Sequence, residues 1–347
     1  MQFFPCVGED QKPAAQYFDE CLRLVDYADR YNWGHIRTVE HYFRPYGGYT
    51  PNPIVFLSAA SQRSKKARMI TGAVLPIFNN PLKLAGEIGM LDGLSGGRLE
   101  VGFARAFLPY EFAHFKISPN ESRERFAEGM EQVRLLLEGE NVSHAGKFHS
   151  FKDVTSLPRP TQKPRPPFWV AAIATPESFV GAGKAGHSVM GIPMAGGKMK
   201  ELLGLYRDAW KSAGHKGKGR VMLAFHMYCA ENREQAIETA RRPLNSYLQT
   251  IAQATADWGT MSSKDYPGYD KIAEILAKET IESQVASGAA WVGSPASIAE
   301  QIRDYHDKVG GFESASLQVN FYDLPYPVAE RSVRLFSEQV MPKFRDL

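Results

Sequence analysis

Ala67-Arg68-Met69-Ile70-Thr71-Gly72-Ala73-Val74-Leu75, then Leu84, Ala85, Ile88 and Leu91, then Ser95-Gly96-Gly97 and Arg98-Leu99-Glu100-Val101-Gly102-Phe103: the run from 67 to 103 decides how the chain folds. The first segment is short, apolar and rich in small and branched residues, as in a strand buried on both faces. The four apolar residues that follow recur at helical spacing. Glycines at 96 and 97 suit a helix that must end and turn sharply into the next strand. Strand, helix, turn and strand at this length form the repeating unit of a parallel sheet.

The same alternation extends in both directions. Strands are expected at 1–7, 35–40, 67–75, 98–103, 168–172, 188–192, 221–229 and 316–321. Helices are expected at 13–32, 53–64, 118–138, 176–185, 199–213, 295–309 and 328–340. The stretch 139–167 breaks the rhythm and ends among Pro158, Pro160, Pro164, Pro166 and Pro167. It reads as an irregular insertion after strand 4, because the alternation resumes beyond it. The region 232–290 reads as helical with polar interruptions, among them Asp265-Tyr266-Pro267-Gly268-Tyr269. Eight β/α units predict one α/β domain over 1–347, a (β/α)8 TIM barrel with insertions after strand 4 and strand 7.

Composition removes several classes of function. The net charge is only +3. The single tight basic cluster, Arg63, Lys65, Lys66 and Arg68, reads as a solvated helix end rather than a nucleic-acid patch. Cys6, Cys21 and Cys229 are far apart, which argues against disulfides and fits a reducing, cytoplasmic setting. No signal peptide is visible at the start, and the apolar runs are too short to span a membrane. Nucleotide P-loop, nucleophile-elbow and dinucleotide-binding motifs are missing. The nine histidines form no His-x-x-x-His pair, and no acidic cluster resembles a metal cage, so no metal is expected.

Barrel chemistry sits at the C-terminal ends of the strands, and four places satisfy that condition. His41, in Glu40-His41-Tyr42-Phe43, is either a proton-handling group or a histidine satisfied by core hydrogen bonds. Gly72 and Ala73 would let a flat ring approach the backbone, or simply permit tight packing. Arg105 calls for an anion, either a ligand phosphate or an acid such as Glu111. Ala172 leads into Thr175-Pro176-Glu177-Ser178, an N-cap and first turn whose free N–H groups suit a phosphate; Gly293-Ser294-Pro295 offers a rival terminus.

These segments, in this order, resemble the luciferase-like flavin monooxygenases. Glu40-His41-Tyr42-Phe43 with Asn52-Pro53 is similar to that family's Glu-His-His-Phe followed by Asn-Pro. Leu91-Asp92-Gly93-Leu94-Ser95-Gly96-Gly97-Arg98 running into Gly102-Phe103-Ala104-Arg105 is a second match. The proline-spaced entry 158–170 and Val292-Gly293-Ser294-Pro295 complete the set. The resemblance implies FMN across the barrel mouth, with His41 as the active-site histidine. It implies Gly72 and Ala73 beside the flavin ring, where luciferases carry a non-proline cis peptide. Arg105 would meet the phosphate, and the segment 173–178 would be the phosphate loop, favoured over the Ser294 terminus. Two departures are visible. Ala104 replaces a reactive cysteine, and Ile173 and Ala174 replace a glutamate and a serine, which leaves Thr175 and Ser178 as the hydroxyl donors.

By that resemblance the chain is a two-component monooxygenase. A transient flavin reductase would supply reduced FMN, and one atom of O2 would pass to a small organic or carrier-bound substrate by hydroxylation or Baeyer–Villiger insertion. A homodimer paired through outer helices is implied as well. The segment 257–290, with Trp258, Tyr266 and Tyr269, is a candidate lid or equally a packing element. A deazaflavin-dependent hydride-transfer enzyme, a non-catalytic flavin-binding partner subunit and, more remotely, a metal-dependent barrel hydrolase are the alternatives.

Overall fold

The computed structural model describes residues 1–344. Its strands are β1 (Gln2–Phe3), β2 (His35–Thr38), β3 (Arg68–Thr71), β4 (Leu99–Phe103), β5 (Val142–Ala145), β6 (Ser150–Val154), β7 (Phe168–Ala171), β8 (Ser188–Gly191), β9 (Val221–Cys229), β10 (Ala290–Gly293) and β11 (Ser314–Gln318). Eight of them close a parallel ring in the order β1-β2-β3-β4-β7-β8-β9-β11, with β11 pairing back onto β1. Helices flank the ring, giving the (β/α)8 barrel that the 67–103 unit predicts. No described helix is long and apolar enough to cross a membrane.

Local chemistry explains how chain leaving β2 and β3 is turned into helix. Asn52 accepts a hydrogen bond from the Ile54 N–H at 2.9 Å, and Asn80 accepts one from Leu82 at 2.9 Å. In both cases proline follows as the first helical residue, where its missing N–H costs nothing. The helix Pro81–Leu94 then ends as expected. Gly96 and Gly97 take positive φ, and the Gly97 N–H returns to the Asp92 carbonyl at 2.8 Å. Arg98 donates to the carbonyls of Ala67 (2.6 Å) and Ser61 (3.0 Å), so the Asp92–Arg98 stretch is structural.

Two expectations need correction. The insertion 139–167 contains an antiparallel hairpin, β5–β6, rather than only irregular chain. Its strands are polar and half-exposed, and they are pinned by Glu128, which accepts N–H bonds from Lys147, Phe148 and His149 at 2.8, 2.9 and 2.9 Å. That support comes from the helix just before the insertion, 19 to 21 residues back along the chain, and has no signature within the insertion itself. Second, 232–290 is not helical throughout: β10 begins at Ala290 and pairs with the outer half of β9, from Ala290↔His226 to Gly293↔Cys229. Four residues are too few to show a period.

The barrel interior positions the site. Ile70, Trp169, Met190 and Met222 form a buried plug across the ring. Further along the same strands the inward positions change character: Ala171, Ala224 and His226 are only partly buried, and Ile192 is 47% exposed. Burial thus loosens above the plug, toward the C-terminal mouth.

Candidate active site at the barrel mouth

His41, Gly72–Ala73, Arg105 and the 172–178 segment follow β2, β3, β4 and β7, which are consecutive in the ring. The structure therefore brings all the expected residues to one arc of the mouth. His41 is buried among Phe4, Tyr46 and Phe107, with ring centroids 5.7, 5.3 and 5.8 Å away. Its Nδ1 lies 3.1 Å from Oε1 of Glu111, which is fully buried and also accepts the Tyr42 N–H at 2.9 Å. A carboxylate can only accept, so Nδ1 is the donor in this pair. Glu111 was one of the two alternatives for Arg105, the other being a ligand phosphate. It instead serves His41, because the short helix Pro109–Phe115 folds back over the end of β2.

Glu40, just before His41, is buried and accepts from the Tyr42 hydroxyl, from Asn79 Nδ2 at 2.8 Å and from the Leu75 N–H at 3.0 Å. Burial outweighs those donors and pushes its pKa up to about 8. Through these bonds Glu40 ties the chain after β2 to the chain after β3. There the Gly72–Ala73 peptide is cis. Its carbonyl accepts from Arg37 Nη2 at 2.9 Å, and a Cβ at residue 72 would stand 1.8 Å from Arg37 Nε. Only glycine fits this position.

Arg105 donates to the Asp265 carbonyl at 3.0 Å and lies 4.5 Å over the Tyr266 ring. Among the described residues no carboxylate forms an ion pair with it. Thr175 stands at the N-cap of the helix Pro176–Lys184, with Pro176 at its first position, but its hydroxyl makes no capping bond. The rival terminus is closed, since Ser294 Oγ accepts the Ser297 N–H. β4 and β7 pair from Val101↔Phe168 to Phe103↔Val170, so the chain beyond them carries Arg105 and the 172–178 segment out side by side.

The 257–290 segment covers part of the mouth. Trp258 and Tyr266, 1% and 3% exposed, pack with Leu75, Ile77, Ala106 and Phe112 in a cluster separate from the main core. Trp258 Nε1 donates to the Phe107 carbonyl at 2.8 Å, and the Tyr266 hydroxyl donates to that of Ala106 at 2.7 Å. These aromatics therefore hold the segment down, which is their packing role. Sequence reasoning missed Arg37 and His226. Both belong to strands buried along most of their length, where alternation is hidden.

The luciferase-like monooxygenase family matches over residues 1–310. The monooxygenase RslO1 of Streptomyces bottropensis is 41% identical, with a TM-score of 0.88 over 99% of this chain and 98% of that one. The oxygenating constituent of 3,6-diketocamphane monooxygenase from Pseudomonas putida, a type II Baeyer–Villiger enzyme in complex with FMN, has a TM-score of 0.80 at 22% identity over 98% and 95% of the two chains, a likeness of fold. The oxygenase component of the flavin-dependent trigonelline monooxygenase of Acinetobacter baylyi is 32% identical over 244 residues, 69% of this chain and 66% of that protein. With this match over most of its length, the chain belongs to the luciferase-like monooxygenase family and is a flavin-dependent oxidoreductase.

Proposed function

We propose that the protein is the oxygenase of a two-component system, receiving reduced FMN from a separate reductase and transferring one atom of O2 to a small organic or carrier-bound substrate. The observation that carries this reading is the arc itself. Above the barrel plug it sets together the Gly72–Ala73 peptide, an arginine without a carboxylate, and an uncapped helix terminus. That donor set fits FMN. Gly72 and Ala73 lie beside the ring, while Arg105, Thr175, Ser178 and the N–H groups after Ala172 hold the phosphate.

When bound, the reduced flavin supplies the electrons that activate O2. The chain does the rest. His41 Nε2, backed by Glu111, holds or returns a proton at the barrel mouth. The aromatic wall of Phe4, Tyr46 and Phe107 and the seated 257–276 segment exclude water. The Acinetobacter relative, an oxygenase component, supports the reductase partner.

Exposed apolar side chains support a homodimer. Val55, Leu82, Met90, Leu94 and Leu157 are 68%, 38%, 57%, 46% and 71% exposed. They lie on the helices Pro53–Arg63 and Pro81–Leu94 and on the chain that crosses the second of them beside Gly86 and Gly89. A grouping of this kind marks an association surface.

Arg105→Ala tests the cofactor site. It is expected to weaken FMN by about 1.5–3 kcal/mol, the worth of a charge-assisted contact, measured by anaerobic titration. Unaltered affinity would place the phosphate elsewhere. Binding of a deazaflavin but not FMN would favour hydride transfer.

A further inference from the structure

Arg37 is a buried cation without an anion. Its side chain enters the barrel from β2, is 8% exposed as a residue, and meets Gln2 Oε1, the Gly72 carbonyl (2.9 Å) and Met190 Sδ (3.7 Å). Nε has no partner. Among the described residues no Asp or Glu pairs with it. Glu100, the buried carboxylate nearer the N-terminal end of the barrel, is taken by Arg68 and Arg220. The titratable groups around Arg37 are the Met1 amine, His35 and Tyr247. Burial lowers the first two and raises the third, so none supplies a negative charge. An unpaired guanidinium is expensive in such a place unless a ligand brings the missing charge.

Its placement says where that charge would be. The guanidinium lies against Gly72, so closely that a Cβ there would collide with Nε. This is the peptide beside which the flavin ring is proposed to lie. We infer that Arg37 is the counter-charge for the reduced cofactor, making the site prefer an anionic reduced flavin over the neutral oxidised ring. The inference rests on the FMN reading above. Reduction adds two electrons to the ring with uptake of one proton, and the remaining negative charge is spread over N1 and the C2 carbonyl. A planar guanidinium in a buried, water-poor setting, still charged at neutral pH although burial lowers its pKa to about 10, is matched to that delocalised anion. An oxygenase that must take reduced FMN from a reductase and release the oxidised form is served by such a bias.

The test compares affinities for oxidised and dithionite-reduced FMN in anaerobic titrations of the wild type, Arg37→Met and Arg37→Lys. The wild type is expected to prefer reduced FMN by about tenfold or more, equivalent to raising the two-electron potential by about 30 mV. Arg37→Met should lose the preference, and Arg37→Lys should retain part of it. The same ratio in Arg37→Met as in the wild type overturns the inference. If Arg37→Met does not fold, the wild type alone decides through the near-ultraviolet absorbance of the bound reduced flavin. It must stay anionic at pH values where free reduced FMN in the same buffer takes up its N1 proton, and protonation at the same pH as free FMN overturns the inference. A wild type that binds FMN in neither redox state defeats the FMN reading itself, which is a distinguishable result.

Discussion

Glu40 receives three hydrogen bonds that favour its ionised form, yet burial holds its pKa at about 8 against an ordinary 4.5. The protonated form belongs to the folded state, so its contribution to stability is complete below pH 4.5 and is lost as the pH rises through about 8. Thermal melting of the wild type and Glu40→Gln between pH 5 and 9 checks this. The melting temperature of the wild type should fall relative to the variant by about 2 °C or more across that range, whereas a constant difference would contradict the assignment. At this scale the sequence was legible where a chemical group stood at a strand end. His41, Gly72 and Arg105 were singled out that way, and the structure sets them after neighbouring strands of the ring. The partner of His41 was not, because Glu111 reaches it from 70 residues further along the chain, on a helix of only seven residues. Nothing in the spacing records which basic group a buried acid will face.

Among the elements, the segment after the long helix Arg233–Thr255 is seated on the barrel through a small cluster that it shares with Leu75, Ile77, Ala106 and Phe112, and through a set of polar ties. Arg44–Asp257 at 3.0 Å, Ser122–Asp265 at 3.2 Å and the two aromatic hydrogen bonds are among them. Trp258→Ala removes its largest buried side chain, a loss worth roughly 3–5 kcal/mol, and should free this segment before the barrel. Limited trypsin digestion should then cut at exposed Lys264 well before any site in the barrel. Simultaneous loss of both regions would show that the segment is part of one cooperative unit and no lid. The barrel elements themselves were readable because periodic helices follow the strands, with Asn-Pro boundaries after β2 and β3 and a Gly-Gly turn before β4. β10 and the β5–β6 hairpin lacked such local marks and depend on β9 and Glu128 respectively.

For the whole molecule, closure of the ring follows from the count of β/α units, but no periodicity indicates which outer face meets a second copy. The proposed dimer surface rests instead on the exposed apolar residues of the helices Pro53–Arg63 and Pro81–Leu94. Met90→Glu should convert a dimer to a monomer in light scattering at micromolar concentration while leaving FMN binding intact; a wild type that is already monomeric would discard this surface. The barrel mouth is proposed to hold reduced FMN and to control its reaction with O2. Rapid mixing of the anaerobic complex with oxygenated buffer, followed by flavin absorbance, tests it most directly. The wild type should reoxidise about tenfold or more slowly than free reduced FMN, a barrier difference of about 1.4 kcal/mol, and His41→Ala should bind FMN but lose most of that delay. Reoxidation at the free rate in both proteins, or failure of the wild type to hold reduced FMN, would contradict the account.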